Sequence, residues 1–178
     1  GTWSQHWGVS TSSQENWIAS MAKHLSEKFY QAMTKLEPRY PQRKALILPA
    51  LHQAQAEFGW LPPEVLDEVA EYIGVHSAQI REVASFYTMY NLKPVGKMHL
   101  KICTNVACCL RGADELMEFA EKKLGIKCGE TTADGRFTLS EEECLGACTV
   151  APAMMANDDY VENLDINRFN EFLEKVKK

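Results

Sequence analysis

The chain has 178 residues, 46% of them hydrophobic and 24% charged, with a net charge of -5; that suits one globular domain, or a small domain with a helical appendage. The acidic balance, without a basic stripe of interleaved aromatics, argues against a nucleic-acid partner. The longest apolar run, around "ALILPAL", is too short to cross a membrane, and no basic start leading into an apolar core supports secretion.

Residues 1–14, "GTWSQHWGVSTSSQ", are polar and poor in aliphatic side chains. They read as a flexible segment or a tag remnant, with a docking arm carrying Trp3 and Trp7 as the alternative. A small helical bundle is expected over 15–92. From Trp17, the residues Ile18, Met21, Ala22, Leu25, Phe29 and Met33 recur at helical spacing, and Pro38 and Pro41 bracket the turn that follows. Leu46, Ile47, Ala50, Leu51, Ala54 and Phe58 share a face of a second helix, which starts or kinks at Pro49 and stops at Gly59. In "LPPEVLDEVAEYIG", Pro62 or Pro63 opens a third helix, Glu64, Asp67 and Glu68 suit its positive start, and Gly74 suits its end. Ser77 is the expected cap of a fourth helix through Ile80, Val83, Ala84 and Tyr87. His52 and His76 read as surface residues of helices.

After "NLKPVGK", residues 93–178 change period. Met98, Leu100 and Ile102 alternate with His99, Lys101 and Cys103, which predicts a strand. "GADELMEFAEKKLG" returns to helix, with Leu116, Phe119, Ala120 and Leu124 on one face. "ADGRFTL" predicts an Asp-Gly turn entering a strand, and "APAMMANDDYVENL" a hairpin turning at Asn157 and Asp158. A last helix runs through Ile166, Phe169, Leu173 and Val176. The order strand, helix, strand, strand, helix predicts a small α/β sandwich, so the whole chain is α+β.

All six cysteines, Cys103, Cys108, Cys109, Cys128, Cys144 and Cys148, lie in this second half. Four of them form C-x4-C and C-x3-C pairs. Each pair follows a predicted strand, so the two loops can converge on one site. Disulfides want an oxidising compartment, for which there is no signal, and the helical half folds without cysteine. A thiol reductase wants C-x-x-C, which is absent. Two readings stay open from spacing. One is a four-thiolate zinc site, as in a zinc-stabilised adaptor. The other is a [2Fe–2S] cluster, for which C-x4-C is the first half of the plant-type spacing while C-x3-C departs from it. No phosphate loop, G-x-G-x-x-G, H-E-x-x-H or G-x-S-x-G occurs. A redox role would therefore take its electron donor and acceptor from outside the chain.

The segment "CTNVACCLRGADELMEFAEKKLGIKCGETTADGRFTLSEEECLGACTVAPAMMANDD" resembles the thioredoxin-like [2Fe–2S] ferredoxin subunit of respiratory complex I, the NuoE family. The motifs that carry the likeness are C-x4-C, L-G-I-K, T-x-D-G-x-F, C-L-G-A-C and A-P-x-x-M. Upstream, "EFGWLPPEVLDEVAEYIGV" and "VASFYTMY" resemble its helical part, so the likeness runs over roughly residues 40–178. It implies a helical bundle followed by a thioredoxin-like domain. It implies a [2Fe–2S] cluster with Cys103 and Cys108 on one iron and Cys144 and Cys148 on the other, leaving Cys109 and Cys128 as spare thiols. By the same likeness the chain is an electron-transfer subunit of NADH:quinone oxidoreductase, without a complete active site of its own. It would exchange one electron with the flavin of an FMN- and NADH-binding partner of NuoF type, in a peripheral arm on the cytoplasmic face of the membrane, or in the mitochondrial matrix of a eukaryote. "SFYTMY" and the Trp60–Pro63 corner would lie near that partner, with the bundle core as the competing reading. An NAD-linked hydrogenase or formate dehydrogenase subunit is the alternative.

A cluster of charge about -2, and about -3 when reduced, wants backbone N–H donors and small residues nearby. Thr104, Asn105, Gly112, Gly146 and Ala147 suit that, and a helix starting near Gly112 would add its dipole. Val106, Leu110, Val150 and Met154 are candidates for excluding water, with ordinary packing the competing reading for Val106 and Met154. Glu141, Glu142 and Glu143, just before Cys144, are expected to lower the reduction potential unless salt screens them.

Overall fold

The computed structural model describes residues 24–176. The chain divides into two compact units between Lys93 and Pro94. Among the described residues of the first unit, four α-helices follow one another: α1 (Glu27–Leu36), α2 (Ile47–Phe58), α3 (Pro63–Ile73) and α4 (Ser77–Phe86). Phe29, Met33, Leu51, Leu61, Val65, Val69 and Ile80 close their shared core. The expected apolar positions Ile18, Met21 and Ala22 lie outside the described residues, as do Trp3, Trp7 and the whole 1–14 segment.

Local sequence sets the ends. Pro49 stands in the first turn of α2, where its missing N–H costs nothing, so the helix starts beside it rather than kinking. Gly59 and Gly74 end α2 and α3 in left-handed backbone, with φ of 76° and 81°. Two details differ from the sequence expectation. His76, not Ser77, caps α4, its Nδ1 accepting from the Ala78 N–H at 3.2 Å; the longer side chain reaches where the serine, already helical, does not. Glu68 lies too deep in α3 to serve the helix start. Its carboxylate instead accepts from the N–H groups of His24 and Leu25 at 2.8 and 3.2 Å and from the Tyr30 hydroxyl at 2.6 Å, which ties down the start of α1.

The second unit is a four-stranded mixed sheet in the order β2-β1-β3-β4, built from β1 (Met98–Cys103), β2 (Phe137–Glu142), β3 (Met154–Ala156) and β4 (Asp159–Val161). β1 pairs β2 in parallel, Leu100 opposite Leu139 and Cys103 opposite Glu142, and pairs β3 antiparallel. Three helices complete it: α5 (Val106–Cys109), α6 (Ala113–Leu124) and α7 (Ile166–Val176). The hairpin contributes two short strands, with Asn157 at its turn in left-handed backbone (φ 53°). The single turn α5 is not visible in the sequence period, because four residues are too few to establish one. The linker is held against β2: the Gly96 N–H donates to Thr138 Oγ1 at 2.6 Å. A Cβ at residue 96 would come within 2.9 Å of the Phe137 nitrogen, so only glycine fits there.

Alternation along β1 sorts its side chains. Leu100 and Ile102 enter the core with Leu116, Leu139, Met154 and Phe169. His99, Lys101 and Cys103 take the other face. There His99 Nε2 lies 2.8 Å from Ser140 Oγ, and its buried Nδ1 has no protein partner among the described residues. Burial, and then the Lys101 ammonium, hold the imidazole down to about 4. The unfolded chain titrates this group near about 6.5, so between those values it binds the extra proton and stability falls as pH falls. Urea unfolding should therefore show a loss of roughly 1–2 kcal/mol between about pH 7 and pH 5 that His99→Gln abolishes. Equal pH slopes in the two proteins would contradict it.

Candidate metal centre

β1 delivers Cys103 at its C-terminal end, 2% exposed, its N–H donating to the Ala153 carbonyl at 3.0 Å. The chain then turns into α5. The Cys108 and Cys109 N–H groups both bond the Asn105 carbonyl at 2.9 Å, which rolls Cys108 inward to 1% exposure. β2 ends at Glu142, and the loop beyond it carries Cys144 and Cys148, both exposed. Gly146, with φ 71°, gives that loop a conformation that side chains avoid, and its N–H points at Cys144 Sγ at 3.4 Å.

The four thiols interact with one another. Burial pushes Cys103 up, but N–H donors of Asn105 and Leu145 and the thiols of Cys108 and Cys144 outweigh it and leave Cys103 below its ordinary value. Cys108 is pushed up to about 11 by burial and then by Cys103, against an opposing N–H from Ala153. Cys148 is raised by its contact with Cys144. Contacts thus link 103 with 108, 103 with 144, and 144 with 148, while 108 feels the charge of 148. The interactions run as a chain from Cys108 through Cys103 and Cys144 to Cys148.

A [2Fe–2S] cluster fits this donor set. It needs two thiolates per iron and N–H groups toward its sulfurs. Cys103 and Cys108 form a buried pair, Cys144 and Cys148 an exposed one, and Asn105, Leu145, Gly146 and Ala153 supply the N–H groups. Asn105 and Gly146 are among the donors read from the sequence; Leu145 and Ala153 are not. The Thr104 N–H instead bonds the Glu142 carbonyl at 3.0 Å, and that of Gly112 the Cys109 carbonyl at 3.0 Å. α6 does start at Gly112, whose φ is 94°.

Val106 and Leu110 depart from the sequence expectation, while Met154 takes its competing reading of ordinary packing. Val106 and Leu110 do not cover the thiols: they are 68% and 83% exposed, because α5 turns Cys108 inward and its neighbours outward. Met154 is fully buried in the sheet core rather than at the site. The acidic run is not uniform: Lys101 Nζ lies 3.5 Å from Glu142 Oε1, with only 12% and 14% of those side chains exposed, while Glu141 and Glu143 face solvent. Cys109 stands apart from the four. Its thiol donates toward the Thr104 carbonyl at 3.1 Å and Asp114 Oδ1 at 3.3 Å, and the carboxylate raises it. Cys128 is exposed, on the loop after α6.

The family model for the thioredoxin-like [2Fe–2S] ferredoxin matches residues 33–177. In Rhizobium meliloti, the E-type component of NADH-quinone oxidoreductase that carries the number 2 is 50% identical over 139 residues, which is 78% of this chain and 83% of that one. The E-type component of the same enzyme in Rickettsia conorii is 46% identical over 142 residues, 78% of this chain and 85% of its own. Among solved structures, an NAD+-reducing [NiFe]-hydrogenase in the air-oxidized state matches with a TM-score of 0.66 and 26% identity over 74% of this chain, which spans only 23% of the hydrogenase chain. With 145 matched positions holding all six cysteines (residues 33–177) and relatives this similar, the chain belongs to the thioredoxin-like [2Fe–2S] ferredoxin family.

Proposed function

We propose that this chain is a one-electron carrier subunit of an NADH:quinone oxidoreductase, with Cys103, Cys108, Cys144 and Cys148 as cluster ligands and the flavin of an NADH-binding partner as the exchange site. The observation that carries this is the convergence of four thiols in two pairs under N–H donors, in a chain half identical to a component of that enzyme. A bound [2Fe–2S] cluster would supply reversible single-electron transfer, its charge with four thiolates passing from about -2 to about -3. The chain's own part is to hold that charge. Buried Cys103 and Cys108 anchor one side away from water, the Asn105, Leu145, Gly146 and Ala153 amides aim positive ends at sulfur, and exposed Cys144 and Cys148 bring the other side to the surface, where a partner can approach. Among the described residues no helix is long and apolar enough to cross a membrane, which suits a component of a peripheral arm.

The test is an absorption spectrum of the purified chain followed by low-temperature EPR after dithionite. A reddish-brown protein giving a single spin-half signal supports the reading. A colourless protein that remains EPR-silent after anaerobic reconstitution, with stoichiometric zinc, overturns it. The hydrogenase match favours one second reading, the equivalent subunit of an NAD-linked hydrogenase. The proteins that co-purify with a tagged chain decide between the two.

The partner contact in this reading would use the end of α4 and the segment after it. Phe86 is 76% exposed, and Tyr87, Met89 and Leu92 are each 37–42% exposed, although Tyr90 between them is buried. Phe86 thus belongs to the surface and not to the bundle core. At the Trp60–Pro63 corner Leu61 is buried and Pro63 exposed. Phe86→Ser should weaken capture of the flavoprotein about tenfold or more, as an aromatic anchor does, and leave the melting temperature unchanged. Undiminished capture would remove Phe86 from the contact.

A further inference from the structure

The ion pair between Lys101 and Glu142 stands at the strand ends that carry the thiol site. Lys101 precedes Cys103 by two residues on β1, so both side chains leave the same face of the sheet, about 7 Å apart along the strand. Glu142 is the residue opposite Cys103 in the parallel ladder, about 5 Å across, and its carbonyl accepts from the N–H of Thr104, the first residue of the turn to Cys108. Two residues beyond Glu142 lies Cys144. One ammonium and one carboxylate therefore sit between the roots of the two ligand loops. With 12% and 14% of their side chains exposed, they are poorly screened by water or salt.

We propose that Lys101 and Glu142 are a matched counter-charge pair that sets how readily the four-thiol site accepts an electron, Lys101 favouring the reduced form and Glu142 opposing it. The inference rests on the cluster reading above. It divides the acidic run by mechanism. Glu141 and Glu143 face solvent, and salt weakens their action. Glu142 acts through the protein interior, and Lys101 offsets it there. Neither residue touches sulfur in this role; both act on the site through the field.

Redox titration of the reconstituted full chain at low and at high salt tests this, with EPR spin counts as the measure of loading. Glu142→Gln should raise the midpoint, enough to change the reduced-to-oxidised ratio about tenfold at a fixed poise, the scale of one charge at such distances. Adding Lys101→Gln to that variant should bring the midpoint back down; this comparison never leaves a buried carboxylate unpaired. Lys101→Arg should keep the wild-type value, and all these shifts should persist at high salt. The shift in a Glu141→Gln, Glu143→Gln variant should instead shrink with salt. Loaded variants with unmoved midpoints would overturn the proposal. So would loss of the cluster from Glu142→Gln alone, which would make the pair a structural brace of the ligand loops. A wild-type chain that never loads would overturn the assignment of the four thiols instead.

Discussion

Replacing Cys103 by Ala should abolish the visible absorption and the reduced-state EPR signal, while Cys109→Ser and Cys128→Ser should keep both. The six thiols divide in a way that demands this. Cys103 interacts with both Cys108 and Cys144, so it is the member that links the two pairs. It is also held by backbone on both flanks, with its N–H on the Ala153 carbonyl and the Thr104 N–H on the Glu142 carbonyl. The two thiols outside the four are engaged or placed elsewhere. Cys109 is the nearest in sequence outside the four, but its Sγ is engaged with the Thr104 carbonyl and Asp114, and Cys128 is out on its exposed loop. Cys103→Ser would retain geometry but offer a harder oxygen donor, so any residual cluster should show an altered spectrum rather than the wild-type one. Iron and sulfide analysis of the reconstituted variants checks all four outcomes. A Cys103→Ala protein with full iron content would remove Cys103 from the ligand set, and a colourless Cys109→Ser would bring Cys109 into it.

Much of the fold was legible because period and punctuation agree. The strict alternation from Met98 to Cys103 gives β1 its faces, and Gly59, Gly74 and Gly125 stop three helices by the same left-handed turn. What was not legible depends on contacts distant in sequence. Ala153 serves the site only because β3 lies antiparallel beside β1, and no local pattern announces that neighbour. Glu68 reads as a helix-start charge, yet it holds residues 43 and 44 positions away. The one-turn helix at Val106–Cys109 inverts the naive reading of "NVACCLRG": the apolar Val106 and Leu110 go out, and a thiol goes in. The acidic triplet looks alike in the sequence, but register sets Glu142 opposite Cys103, where its carboxylate reaches Lys101. Cysteine spacing left zinc and [2Fe–2S] both open; the surrounding motifs and the family match turn the balance.

The largest stability effect should come from Phe169→Ala, behind the ligand strand and not at the thiols. Phe169 is fully buried on α7. Its ring stands edge-on to Phe119 of α6, with centroids 6.4 Å apart at 83°, so it joins the two helices that cover the core side of β1. Removing it deletes that aromatic contact and leaves a cavity among Leu100, Leu116, Leu139 and Leu173, at a cost of about 3–5 kcal/mol. In a domain of this size that corresponds to a fall in melting temperature of well over about 10 °C. Phe169→Leu fills most of the space and should cost about 1–2 kcal/mol. The route of failure separates this variant from Cys103→Ala. All four thiols remain, so Phe169→Ala should still accept a cluster in the cold and give the wild-type EPR signal. Its cluster should bleach at a lower temperature, in step with the loss of far-UV ellipticity. Because a bound cluster stabilises only the folded form, both proteins should melt lower without it, with the deficit between them kept. An EPR signal changed in the cold, or a melting temperature within a few degrees of wild type, would mean that α7 does not hold the sheet together as its burial implies.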